Sequence, residues 1–463
     1  MQQKKRIYPW QRWRRRVIWA SLILFVALPG TLAIIGWRGQ AALDKEVQAI
    51  RAKGFPASSD DLNKSYVQPP KEKNGVETYQ QSFKVQEKVV SPWQYDDLIK
   101  QVGGTPGRSP LAEALHRQMS EYLDANAEAL RLLHEAANRP ASRFPLDFGQ
   151  GMNLSLPHLA KLRQGVRLLQ IEALVAAEDG DTRRALSAVT AAFAAANSVR
   201  QEPLIISQLV RIACHGVTLN AVNRMMNIAA FSDEELVRLG GALRAEEDPG
   251  AITRGLAGER ALELSAFDHP EQVLSQSPEI QSFGPGGASA VAGLIRLSGM
   301  GSRDRRRYLS YMDEMVTASQ RPLYEAIPLL NAVGPRLQAE RSWIPTFTET
   351  LVSGLTHLGE TFARDAATLA STETAVAIER YRLANGNAVP ERLQDLVPAY
   401  LASLPIDPFD GKPLRYRRDD NGYTVYSINE DMQDDGGQAP APNHKGRAAD
   451  VVFRVEHAQA TAN

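Results

Sequence analysis

Residues 17–37 read VIWASLILFVALPGTLAIIGW, twenty-one positions without a charged side chain. At about 1.5 Å per residue, a helix of that length reaches roughly the 30 Å of a bilayer's hydrocarbon core. A stretch this apolar must be buried or placed in lipid, and its flanks favour lipid. Lys4, Lys5, Arg6, Arg12, Arg14, Arg15 and Arg16 crowd in front of it, whereas Arg38, Asp44, Lys45 and Glu46 behind it are of mixed sign. The positive-inside rule then leaves a basic tail, residues 1–16, in the cytoplasm and sends residue 38 onward outward. Trp10, Trp13, Trp19 and Trp37 stand near the two ends, where indole rings favour the interface. A cleaved signal peptide is the rival reading. Its apolar region is normally about 7–15 residues followed by a small-residue cleavage site, and this run ends in Gly36-Trp37-Arg38. The expectation is a permanent single-pass anchor in the inner membrane, with the bulk of the chain periplasmic.

The 463 residues hold 53 basic and 53 acidic side chains. No global charge attracts nucleic acid, whose binding proteins usually carry a basic patch or domain. The single cysteine, Cys214, excludes an intramolecular disulfide and multi-cysteine zinc sites. Set among Ile212 and Val217, it reads as an inert buried thiol.

From residue 38 to about 385 the apolar period is near 3.6, which predicts a mainly helical body over 38–346. Ser109-Pro110 offers a helix start, with Leu111, Leu115, Met119 and Tyr122 on one face. Leu162, Val166, Leu169 and Ala173 mark a helix that ends at Glu178-Asp179-Gly180-Asp181, and Ala185, Val189, Phe193 and Ala196 mark the next. A pair joined so tightly packs as an antiparallel hairpin. Ser232 and Glu235 form a capping box, and a further helix is expected from Pro203 to about Ile228. No fixed 34-residue repeat emerges, so an irregular bundle is expected and not a solenoid. Loops are expected at 68–74 and 277–289, and one long helix from Phe347 to Leu383.

The texture then changes. Gly386 and Pro390 break the helix, and Leu414–Arg417, Tyr423–Tyr426 and Asp450–Val455 read as three strands, the first two joined by a turn at Asp419–Gly422. Three strands need a covering surface, which the long helix can provide. The order Ala377-Ile-Glu-Arg-Tyr381-Arg, Gly386, Pro390, Leu396-Val-Pro398, Tyr400-Leu401 and Leu404-Pro-Ile-Asp407-Pro408-Phe-Asp-Gly411-Lys-Pro413 continues through Tyr416, Gly422-Tyr423, Tyr426-Ser427 and Ala449-Asp450-Val451. Over residues 372–455 this resembles the C-terminal domain of the major pseudopilins of type II secretion systems. The chain departs from that family at its start. It has no prepilin leader, no Phe-Thr-Leu-Ile-Glu-like opening and no glutamate near the start of the apolar helix. The resemblance therefore implies a C-terminal module, residues 347–456 with the long helix included and followed by a tail at 457–463, borne on a fixed anchor and not assembled into a fibre.

The loop Asn429-Glu430-Asp431-Met-Gln-Asp434-Asp435-Gly436-Gly437 gathers oxygen donors. Calcium takes six to eight oxygens from carboxylates and carbonyls at about 2.3–2.6 Å. The resemblance implies a structural calcium site here, and matching positions point to Asp431, Asp435 and Asp450, with loop carbonyls near Ser427–Asn429. The insertion Gln438–Arg447 lengthens the approach to Asp450, and a solvated acidic turn is the alternative. His116, His134, His158, His215 and His357 lack metal-ligand spacing, and no Gly-x-Ser-x-Gly elbow or phosphate-binding glycine loop occurs. Arg303-Asp304-Arg305-Arg306-Arg307 reads as a solvated helix face, with a phosphate or lipid contact as its alternative. The expected function is non-catalytic: a membrane-anchored scaffold that binds protein partners in secretion or envelope assembly. The rivals are an envelope hydrolase using carboxylates from separate helices, with Glu259 and Glu263 at helical spacing, and a true type II secretion pseudopilin-like component.

Overall fold

The computed structural model describes residues 42–89, 94–105, 107–268, 270–274, 282, 284, 286–298, 300–340, 346–438 and 449–457. The anchor expected at residues 17–37 lies outside them, as do His269 and most of the Gln438–Arg447 insertion. Helices dominate, and a three-stranded antiparallel sheet, ordered β1-β2-β3, follows them near the C-terminus.

The expected hairpin is present as helices Pro157–Glu178 and Thr182–Asn197. Gly180 takes a positive φ of 75° in the turn, and the Asp181 side chain accepts from the Arg184 N–H to cap the second helix. Alanines at 185, 188, 192, 195 and 196 are buried and let the helices approach closely. Ser232 and Glu235 form the capping box of helix Asp233–Glu246.

Helix Ile205–Ile228 is apolar around most of its circumference, so it must be enclosed. The hairpin, helix Ala251–Asp268, helix Leu358–Ala384 and β3 all pack on it. Among the described residues it is the one helix long and apolar enough to cross a membrane, and 61% of that apolar window is buried inside the protein. It also carries the buried Arg211, His215 and Arg224, which find partners in a protein core and not in lipid. Its N-terminal approach is tight. A Cβ on Gly258 would sit 1.6 Å from the Pro203 carbonyl oxygen, so the chain entering the helix rests directly on backbone.

Three expectations are corrected. Ser109-Pro110 does not open a helix; the helix is Glu113–Ala125. Tertiary bonds hold the preceding segment out of a helix: Arg224 donates to the carbonyls of Gly107 and Ser109 and to Glu178 Oε1 at 2.8 Å, and the Leu111 N–H donates to Glu178 Oε2. The long helix is two, Phe347–Ser353 and Leu358–Ala384, because Gly354 ends the first and buried Leu355 turns into the core. The loop expected to reach Ser289 ends earlier, since helix Gly287–Ser298 has already begun.

Strands β1 (Arg415–Asp419), β2 (Gly422–Ser427) and β3 (Val451–Glu456) lie in register with Tyr416 opposite Val425 and Val425 opposite Phe453. Helix Leu358–Ala384 covers the sheet, and the buried Tyr423 hydroxyl donates to the Ala375 carbonyl at 3.0 Å. Side chains close the outer edge of β3: Asn223 Nδ2 donates to the Arg454 carbonyl at 3.3 Å, and Asn227 makes two bonds. Asn227 Nδ2 donates to the Arg454 carbonyl, and Asn227 Oδ1 accepts from the Glu456 N–H at 2.8 Å. Amides thus stand in for a fourth strand and blunt the edge.

Candidate functional site: a cleft between the helical body and the loop before the C-terminal sheet

Gln208, Arg211, Ile212 and His215 fall at i, i+3, i+4 and i+7 on helix Ile205–Ile228 and so share one face. That face meets the end of helix Asp233–Glu246 and Asp365 of helix Leu358–Ala384. His215 is fully buried, with Nδ1 3.1 Å from Asp365 Oδ2 and Nε2 3.3 Å from Glu246 Oε2. Burial pushes the imidazole down, but the two carboxylates outweigh it and raise it above its ordinary value. Arg211 donates from Nε to Asn197 Oδ1 at 3.1 Å and from Nη2 to the Glu246 carbonyl at 2.9 Å and Oε2 at 3.3 Å. Asn197 Nδ2 closes the ring onto Glu246 Oε1 at 2.7 Å. Asp248 accepts from Arg200 and Arg254, while Arg200 also donates to the carbonyls of Ala245 and Glu247. These cations suit a helix C-terminus, where carbonyls lack partners and the dipole is negative.

Over this floor lies a cavity of about 380 Å³, within the roughly 300–1,000 Å³ usual for ligand sites. Its walls are apolar: Ile212, Ile252, Leu323, Phe362 and Leu369 from the helices. The C-terminal module supplies the remaining side through Pro405, Ile406 and Pro408. Ile406 is 48% exposed and Tyr324 37%, so large apolar groups stand at the mouth. Arg211, Glu246, Asp248 and Asp365 of this floor are paired with one another or with neighbouring cations, and His215 sits between Asp365 and Glu246. Cys214 beside it is buried, with its thiol pushed up to about 12 by burial. The cleft presents apolar walls above a polar floor.

The loop holding Ile406 depends on Asp407, which is fully buried. Its Oδ1 accepts from Ser427 Oγ at 2.8 Å and the Phe409 N–H at 3.0 Å, and its Oδ2 accepts from the Ile428 N–H at 3.1 Å and from Arg415 Nη1. Asp410 takes the other side of the Arg415 guanidinium. One carboxylate thus ties the turn to the end of β2 and the start of β1.

The residues expected to bind calcium are placed as follows. Asp450 precedes β3 and is buried; its Oδ2 accepts from the Gly437 N–H at 2.8 Å, while its Oδ1 has no hydrogen-bond partner. Burial raises its pKa, backbone N–H groups of Gly437 and Asp435 oppose this, and the charges of Asp434 and Asp435 add to it. Asn429, in the left-handed region at φ 57°, is also buried with an unpartnered Oδ1. Asp431 and Asp435 are half-buried, and Asp431 Oδ1 accepts from the Gln433 N–H. Among the described residues no three His, Cys, Asp or Glu side chains converge as a metal-binding group. Beside this loop, the buried side-chain oxygens without a hydrogen-bond partner among the described residues are Asp450 Oδ1 and Asn429 Oδ1.

Glu259 and Glu263 are brought together. Glu259 Oε2 accepts from the Ile205 N–H at 3.3 Å, and Glu263 Oε2 accepts from the Tyr308 hydroxyl at 2.7 Å. Burial first, and the Glu259 charge second, push Glu263 up to about 8. Burial likewise raises Glu259. Neither lines the cleft above or the second one, of about 520 Å³, beside Phe55 and Tyr66. The other helical histidines pair with acids, His116 with Asp179, His134 with Glu172 and His158 with Glu202. No family model, curated protein or solved structure matches the chain. Fold and site together define a mainly helical protein with a small antiparallel sheet and a cleft between the helices and the loop that precedes the sheet.

Proposed function

We propose that the chain is a membrane-anchored, periplasmic, non-catalytic protein that holds an extended apolar segment of a partner protein in this cleft. The observation that carries the reading is the cleft's apolar walls, with Ile406 and Tyr324 exposed at the mouth over a floor in which Arg211, Glu246, Asp248 and Asp365 are already paired. A paired floor adds little desolvation cost on binding, so apolar contact with the walls supplies the affinity. The pseudopilin-like texture of residues 372–455 supports a place in secretion or envelope assembly, by analogy. A photo-crosslinking residue at position 406 of the full-length protein in its native membrane tests the reading. A discrete protein adduct is expected.

A hydrolase is the second reading, and one observation favours it: Glu263, raised to about 8 beside Glu259, holds a proton as a general acid would. Calcium in the acidic loop is a separate proposal, supported by the unpartnered Asp450 Oδ1 and Asn429 Oδ1. A bound ion would satisfy both and offset the crowding of acids that raises Asp450. Millimolar calcium is expected to raise the melting temperature by several degrees over chelator, as roughly 1–2 kcal/mol of linked binding would. Asp450→Asn should weaken the shift. No shift in the wild type rules the site out.

A further inference from the structure

The helix over residues 42–52 lies along helix Met300–Ala318. Leu43 and Ile50 share a core with Tyr308, Met312 and Met315. Two charge contacts give the relative direction. Glu46 lies in the field of Arg306, and Lys53 Nζ is 2.9 Å from Asp313 Oδ2, each partner seven residues further on. The helices therefore run parallel, and the start of the first lies level with the arginine run at the start of the second.

Within that run the side chains divide. Asp304 faces inward, accepting from the Phe347 N–H at 2.8 Å and the Thr348 hydroxyl at 2.6 Å. Arg307 pairs with Glu340 and Glu349. Arg303 is exposed and Arg306 half-buried, with Lys45 exposed on the neighbouring helix. Immediately before the run, the twelve-residue helix Gly287–Ser298 contains a single charged residue, Arg296. An apolar helix leading into a basic cluster is a pattern that favours a lipid interface.

Distance completes the case. Residues 38–41 separate the expected span from Ala42, the first described residue of this helix, and four residues reach at most about 14 Å. That places the parallel helix starts near the headgroup layer, about 5–8 Å thick on each side of the hydrocarbon core. We propose that Arg303 and Arg306, with Lys45, form a docking surface for anionic phospholipid headgroups, which seats the helical body on the membrane that anchors it. This rests on the membrane-anchor reading above.

The test uses the full-length chain in lipid nanodiscs, with a dye at Ser310→Cys, an exposed position on the same helix, and an acceptor on the lipid. Energy transfer is expected to be higher in nanodiscs with roughly a third phosphatidylglycerol than in pure phosphatidylcholine. The gain should disappear near 1 M salt, where the screening length falls to about 3 Å. Arg303→Glu with Arg306→Glu should remove both the lipid and the salt dependence. Transfer that ignores phosphatidylglycerol and salt overturns the docking surface. Flotation of the chain with vesicles at alkaline pH separates the causes. A chain that floats without lipid dependence loses the docking surface alone; one that does not float loses the anchor as well.

Discussion

Asp407→Ala is expected to lower the stability of the C-terminal sheet by about 3–5 kcal/mol, the usual cost of removing one partner from a buried ion pair. Four donors converge on this carboxylate, from Phe409, Arg415, Ser427 and Ile428. Alanine would leave the Ser427 hydroxyl and two buried N–H groups without an acceptor, and would leave Arg415 to Asp410 alone. Each orphaned group adds its own desolvation cost. Asp407→Asn should lose less, because an amide oxygen still accepts. Chemical denaturation followed by near-ultraviolet dichroism of the module's tyrosines measures the difference. A loss below about 1 kcal/mol would mean that Pro405, Pro408 and the backbone hold the turn unaided. The same change should loosen Ile406 and so open one wall of the cleft.

Glu263→Gln is expected to stabilise the protein at alkaline pH and to leave it nearly unchanged at pH 5. The folded group titrates near 8 against an ordinary value of 4.5. A raised value means that the folded state binds the proton more tightly than the unfolded chain. That stability is fully present below about 4.5 and is lost as pH rises through about 8. Glutamine mimics the protonated acid, can still accept from the Tyr308 hydroxyl, and carries no charge to desolvate. The expected gain at pH 8.5 is on the order of 4 kcal/mol. Guanidinium unfolding at the two pH values checks it. A variant less stable at both would show that the carboxylate is charged and compensated in the fold.

Local features were legible in the sequence, and long-range pairings were not. The hairpin of Pro157–Glu178 and Thr182–Asn197 announces itself through apolar period and a glycine turn, and Ser232 with Glu235 through spacing alone. Both depend on neighbours a few residues apart. The start at Glu113 was missed because Arg224 and Glu178, far along the chain, hold Gly107–Leu111 out of a helix. The break at Gly354 was missed because a buried Leu355 outweighs helical period.

The cleft was hidden for the same reason. His215 and Asp365 stand 150 residues apart in the chain, and only packing brings them together. One signal was available: Gln208, Arg211 and His215 make a polar stripe on an otherwise apolar helix, and such a stripe must meet partners when buried. Asp407 was visible only as one letter of a family-like pattern. Its four hydrogen bonds supply the physical reason for that letter. Glu259 and Glu263 were legible as helical neighbours, but their burial and the Tyr308 contact were not.

The most direct test of the central claim is crosslinking at position 406 in the native membrane, with and without a filled cleft. Ala366 lines the cavity and is half-buried, so Ala366→Phe places a ring in the space a partner would take. A discrete protein adduct is expected from the parent chain and is expected to be lost in the filled variant, with both proteins equally abundant and equally folded. An adduct unaffected by Ala366→Phe, or no protein adduct from a folded and anchored chain, would contradict that claim.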